Sequence, residues 1–251
     1  MFLDIDEFWV PEDFTAHVGQ LVSMVSDGER RPICHLWHCE LGQGEAFSFL
    51  NISTGYVLSS HLKTLFPIQD TEIKHVRIHH PIFGRNVIPY DTDGWPVIFS
   101  KDHPELACQS VIKPKRAYVV HRMYRSEDEY LALLLRGRPS QKQQLKTNRP
   151  GHLSHENVSA RYGFSWPKQS FGAYDKTKRQ FIEALDIEEL VEQDKFAILH
   201  RASQAVGLLK QMLGNADRDE AIRLLKGTRY RSLANDVLPT SPPVHEAEVN
   251  D

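Results

Sequence analysis

Histidine takes up and releases protons near neutral pH more readily than any other side chain. The chain has 13 of them in 251 residues. His75, His79, His80 and His121 fall in stretches patterned as strands. On a sheet face, histidines can serve as general base and general acid in RNA cleavage. That chemistry needs no metal, because the 2′-hydroxyl attacks its own phosphate. Arg77, Arg122 and Arg125 are close in sequence and can offset charge on the phosphate. His79 and His80 are adjacent, so on a strand they point to opposite faces and cannot act together. The catalytic candidates are therefore His79 and His121, for a metal-independent endoribonuclease. The sequence has no GxxxxGK[ST] phosphate loop and no GxSxG elbow. Asp91 and Asp93 lie in a turn sequence, where Asp is ordinary.

Cys34-His35-Leu36-Trp37-His38-Cys39 places four metal-capable side chains in six residues. On a strand, Cys34 and His38 lie about 13 Å apart, at roughly 3.3 Å per residue. Zinc needs its donors within about 2.0–2.3 Å of one ion. Cys108 and His61 would complete a site only through tertiary contact. The expectation is that these side chains are buried, with no metal and no cofactor.

A different chemistry is suggested by residues 155–176. Ser159, Gly163 and Phe164 have the small–turn–apolar spacing of a helix-turn-helix. Ser165 can cap a second helix whose first turn tolerates Pro167. Lys168 and Gln169 would then face a nucleic-acid groove. Upstream, Arg136, Arg138, Lys142, Lys146 and Arg149 come with no acid between them. Gln141, Gln143, Gln144, Thr147 and Asn148 are interleaved. This suits an arm along a phosphate backbone. Arg161, Lys176, Lys178 and Arg179 extend the basic set. Tyr162, Trp166, Phe171 and Tyr174 could stack on unpaired bases.

These residues sit in a charge pattern that the net charge of −3 hides. Residues 1–112 have 7 Lys/Arg against 15 Asp/Glu. Residues 113–179 have 15 against 5, a balance of +10. Residues 180–251 have 8 against 13. A basic band between acidic flanks attracts polyanions, and nucleic acid is the commonest in a cell.

The elements that must position these groups divide by period. The first 125 residues read as β-rich. Pro32–Leu41 and Glu45–Ile52 flank Gly42-Gln43-Gly44 as a hairpin. Glu72–Ile82 alternates as one strand. Val87–Tyr90 and Trp95–Ser100 surround the turn Asp91-Thr92-Asp93-Gly94. Ser110–Tyr124 is a further strand. Then Ser126 and Glu129 form a capping box for a helix to about residue 136. Helices follow from Ser154 to Gly163, from Asp175 to Leu185, and from a second capping box at Asp186 and Glu189 through 187–213. A last helix runs from Asp217 to about Gly227. From Pro239 the tail reads as disordered.

The expected fold class is α+β: a β-rich domain of mainly antiparallel hairpins ending in one helix (1–136), a basic linker (137–152), and a helical domain (153–238) with a tail to 251. No apolar run is long enough to cross a membrane. The acidic N-terminus lacks the features of an export signal. Three cysteines make no disulfide framework, and a cytoplasmic location is expected. The leading functional expectation is nucleic-acid binding, to DNA or RNA, as a regulator or a subunit of a nucleoprotein complex. The alternatives are the endoribonuclease and an adaptor whose basic band meets an acidic protein. Helix 187–213 could contact other subunits.

Overall fold

The computed structural model describes residues 1–26, 31–42, 47, 50, 53–69, 72–77, 79–84, 87–100, 106–107, 116–136, 145–153 and 162–236. In chain order the elements are β1 (Glu7–Pro11), α1 (Val18–Ser26), β2 (Ile33–Glu40), β3 (Ser53–Leu65), β4 (Ile73–Val76), β5 (Pro81–Phe83), β6 (Tyr90–Asp91), β7 (Ala117–His121), α2 (Glu127–Leu135), β8 (Tyr162–Ser165), α3 (Lys168–Leu185), α4 (Glu188–Leu213), α5 (Arg218–Leu225) and α6 (Leu233–Asp236). Strands β1–β7 lie in the N-terminal half and helices α3–α6 in the C-terminal half, a mixed α+β fold. No described helix is long and apolar enough to cross a membrane.

The chain forms two compact units that interleave in sequence. The first is Met1–Leu41, Ser48–Arg125 and Val158–Glu188. The second is Gly42–Phe47, Ser126–Asn157 and Glu189–Asp251. The helix expected to end the β-rich domain, α2, thus belongs with the later helices. The start of the expected helical domain, β8 and α3, belongs with the sheet.

The first unit is built on a sheet ordered β1-β7-β2-β3-β8, with β6 also paired to β2. Most pairings are antiparallel, as expected, but β2 pairs with both β6 and β7 in parallel. All eight residues of β2 are buried. This explains its unbroken Ile-Cys-His-Leu-Trp-His-Cys pattern, because a strand covered on both faces needs no polar alternation. One cluster around it joins Cys34, Leu36, Leu62 and Val97. Another joins Ile33 and Ala117 to Leu21 and Val25 of α1.

Several expected elements took another form. The antiparallel partner of β2 is β3, while most of 45–52 lies outside the described residues. Residues 72–82 form a hairpin, β4 with β5. Pro81 lacks an N–H for a continuous ladder and opens the second strand instead. The expected turn at Gly163 is strand backbone: β8 pairs with β3, Gly163 opposite Gly55. Ser165 is therefore strand and caps no helix; the helix expected before it, 154–161, lies outside the described residues. α3 begins at Lys168, well before Asp175. Asp175 is in its interior, ion-paired to Lys178 at 2.7 Å and to Arg179 one turn on. Asp186 adopts the left-handed conformation (φ 48°) that ends α3. The turn at Asp91 formed as expected. Its Oδ1 accepts from the Asp93 and Trp95 N–H groups at 2.9 Å each, and Gly94 has φ 90°.

In the second unit the capping box is present. The Ser126 hydroxyl accepts from the Glu129 N–H, and the Glu129 carboxylate accepts from the Ser126 N–H. The core joins Tyr130, Leu131 and Leu134 of α2 to Ala205, Leu209 and Leu213 of α4 and Leu224 and Leu225 of α5. The described part of the expected basic linker, 145–152, is fixed along α5. Arg223 donates to the carbonyls of Thr147 and Arg149, and the His152 N–H donates to Lys226 O at 2.8 Å. Gly151 (φ 116°) is required there, because a Cβ would meet Lys226 O at 2.7 Å.

Candidate functional site

Trp37 lies at the middle of β2, opposite Val119 of β7. On its other side, the step from Leu36 to His38 faces the step from Leu62 to Leu58 on β3. β3 therefore bulges where it passes Trp37, and bulges re-aim side chains. His61 lies in that bulge. Its ring stacks on the Trp37 indole at 5.0 Å, with 16° between the planes. Ser59 fixes the imidazole, its Oγ lying 3.0 Å from His61 Nδ1.

Two more histidines reach the same indole. His79, from the turn between β4 and β5, meets it edge-on at 5.1 Å. His121, at the end of β7, lies at 4.3 Å. The His61 and His79 rings are 6.0 Å apart. His61 and His79 are partly exposed, whereas Trp37 and His121 are buried.

Charged groups surround this set. Glu7 of β1 is paired in register with His121. Its carboxylate lies 2.9 Å from Lys63 Nζ, and the two side chains are 0% and 1% exposed. Asp4 adds a longer contact to Lys63, 3.4 Å. Lys63 Nζ is also 6.0 Å from the centre of the Trp37 ring. Asp6 accepts from Arg125 at 3.1 Å and lies 3.7 Å from His121 Nε2. Burial alone would raise the Asp6 carboxyl. His121, by hydrogen bond and charge, and Arg125 outweigh it, holding Asp6 well below the usual carboxylate range. Arg122 donates to the buried Glu40 at 2.7 Å. Among the described residues, Trp37 Nε1, His121 Nδ1 and Glu7 Oε1 are buried without a hydrogen-bond partner.

The structure thus brings His79 and His121 to one place and turns His80 away. His80 bonds to Thr64 Oγ1 at 3.0 Å and packs on Phe99, and burial lowers it to about 4. His75 and Arg77 are exposed beside the hairpin turn. His61, Asp6, Lys63 and Glu7 were not among the catalytic expectations. His61 had entered only as a zinc ligand, and no local pattern links it to a turn at residue 79. The Cys34–Cys39 stretch is strand, with both cysteines buried and neither in a disulfide. Burial pushes the Cys34 thiol up to about 12, which leaves it protonated and inert. Among the described residues, no three His, Cys, Asp or Glu are grouped to hold a metal ion.

The expected nucleic-acid residues divide between the units. Arg138, Lys142 and Arg161 lie outside the described residues. In the second unit, Arg136 is exposed at the end of α2, while Lys146 and Arg149 are half-buried. In the first unit, Lys168, Gln169, Lys176 and Arg179 are exposed on α3, and Lys178 is half-buried beside Asp175. α3 is anchored by its other face. Phe171 and Tyr174 pack against Phe14, at 5.7 and 5.0 Å, and Phe171 stacks on Trp166. Those aromatics are packing residues here.

No family model, curated protein or solved structure matches this chain.

Proposed function

We propose that this protein binds nucleic acid, with α3 of the first unit as a principal contact. The observation that carries the reading is the outward face of that helix. Lys168, Gly172, Lys176 and Arg179 recur at spacings of four, four and three, so they share one side. All four are exposed. Gly172 has open space where a Cβ would be, which lets a phosphate approach the backbone. Gln169 flanks the stripe and can hydrogen-bond sugar or phosphate. The +10 balance of residues 113–179 supplies the wider attraction for a polyanion. No helix-turn-helix is part of this reading, because β8 occupies the turn.

The test is fluorescence anisotropy with labelled single- and double-stranded RNA and DNA over a salt series. Lys168→Glu with Lys176→Glu should weaken binding at least about tenfold. It should also lower the slope of log affinity against log salt by roughly 2, about 0.9 per lost phosphate contact on a duplex. Unchanged affinity in the double variant, or no binding to any of the four at low salt, overturns the proposal. Lys146 and Arg149 are poor positions for this test, since they belong to the packed segment along α5. The adaptor alternative draws on the exposed Leu190, Phe196 and Leu199 of α4. It requires a protein partner that survives nuclease treatment.

A further inference from the structure

We propose that His61 and His79, held on Trp37, form a metal-independent site that cleaves single-stranded RNA. This rests on the nucleic-acid reading above and adds a reaction to it. The geometry selects His61, where sequence alone had pointed to His121. Two imidazoles that exchange protons with a substrate must both reach it. His61 and His79 are the partly exposed pair, 6.0 Å apart. His121 is buried against the indole, with its Nε2 toward Asp6. It is a positioning residue, packed on Trp37.

The two exposed rings differ in a way that divides the roles. His61 lies flat over the indole face, where the negative face of the ring system stabilises a cation. On that stacking we assign His61 the acid role. His79, in edge-to-face contact with the same indole, takes the base role. His79 takes the proton from the ribose 2′-hydroxyl. The 2′-oxygen forms a bond to the adjacent phosphorus, and the bond from phosphorus to the 5′-oxygen breaks. His61 gives its proton to that departing oxygen. The products are a 2′,3′-cyclic phosphate and a 5′-hydroxyl, with no water, metal or oxidant consumed. The charged groups around the rings, Lys63 with Glu7 and Asp4, and Asp6 with Arg125, are engaged with one another.

The test uses the full chain and a labelled single-stranded RNA in excess EDTA, with DNA of the same sequence beside it. The expected result is RNA cut to 2′,3′-cyclic-phosphate ends, a bell-shaped pH profile and intact DNA. His61→Gln and His79→Gln keep planar polar side chains. Each should lower the rate at least about 100-fold while leaving affinity for 2′-O-methyl RNA within about twofold. Loss of cleavage together with loss of that affinity in both variants overturns the assignment of these residues to chemistry. So does RNA that binds and is never cut, cleavage that needs a metal, or activity surviving in both variants. Absence of binding to the 2′-O-methyl RNA by the unaltered protein defeats the nucleic-acid reading itself.

Discussion

In the second unit, buried side chains from α2, α4 and α5 are almost all aliphatic: Leu131, Leu134, Leu209, Leu213, Leu224 and Leu225, with Tyr130 giving its hydroxyl to Leu224 O at 3.0 Å. In the first unit, one region of the sheet buries Lys63, Glu7, His121 and Trp37 together. Aliphatic burial stabilises a fold directly, by about 25 cal/mol per Å² removed from water. Burying charge and imidazole costs desolvation that pairing only partly offsets. The contrast teaches where to look for function. A chain able to build the second core had the means to fill the first sheet with leucine. Instead it holds a set of polar and charged groups around one indole.

The largest expected effect breaks that set. Lys63→Met removes one member of a buried pair and strands Glu7, at a cost of about 3–5 kcal/mol. Adding Glu7→Leu should restore much of the loss, because the second substitution removes the stranded charge. Urea denaturation of both variants measures this. If the double variant is no more stable than the single one, the pair is not what is being broken. Amides of the second unit should keep their hydrogen-exchange protection in either case.

Acid sharpens the same contrast. His35 is fully buried in β2 and burial lowers it to about 4. Between its ordinary value of 6.5 and about 4, the unfolded chain binds a proton that the folded chain does not. Stability from neutral His35 is therefore complete above pH 6.5 and falls as pH drops toward 4, by up to roughly 3 kcal/mol. His80 acts in the same direction and window, more weakly because it is partly exposed. Asp6 adds to the loss only below its ordinary value of 3.8. The slope of unfolding free energy between pH 6.5 and 4.5 should be shallower in His35→Phe than in the unaltered protein. Equal slopes would show that His35 is not held neutral by the fold.

The smallest effect lies on the aliphatic side. Ser126→Ala removes the hydroxyl of the capping box and should cost about 1 kcal/mol, with exchange increasing first at the N-terminal amides of α2. A change in the acid slope on this substitution would contradict the assignment of pH sensitivity to the first unit.

Local signals account for what was legible beforehand. The capping box at Ser126 and Glu129 and the turn at Asp91 depend on residues a few positions apart. Both were found where expected. His79 and His80 are separated, as expected, but by the turn between β4 and β5 and not by alternation along one strand. Gly163 misled because glycine serves a helix turn and a strand equally well. Its partner Gly55 is far away in sequence. Asp175 misled because a helix cap and an i,i+4 ion pair use the same side chain.

What the sequence determined by itself is the α+β class, the basic band and the inventory of histidines, because composition, period and caps are local properties. Only the tertiary structure decided that His61, His79 and His121 meet at Trp37, and that Lys63 reaches Glu7. Those meetings depend on β2 taking β3 and β7 as neighbours, and on the bulge that turns His61 toward the indole. Strand order and register arise from contacts between distant segments, which no short window of residues contains.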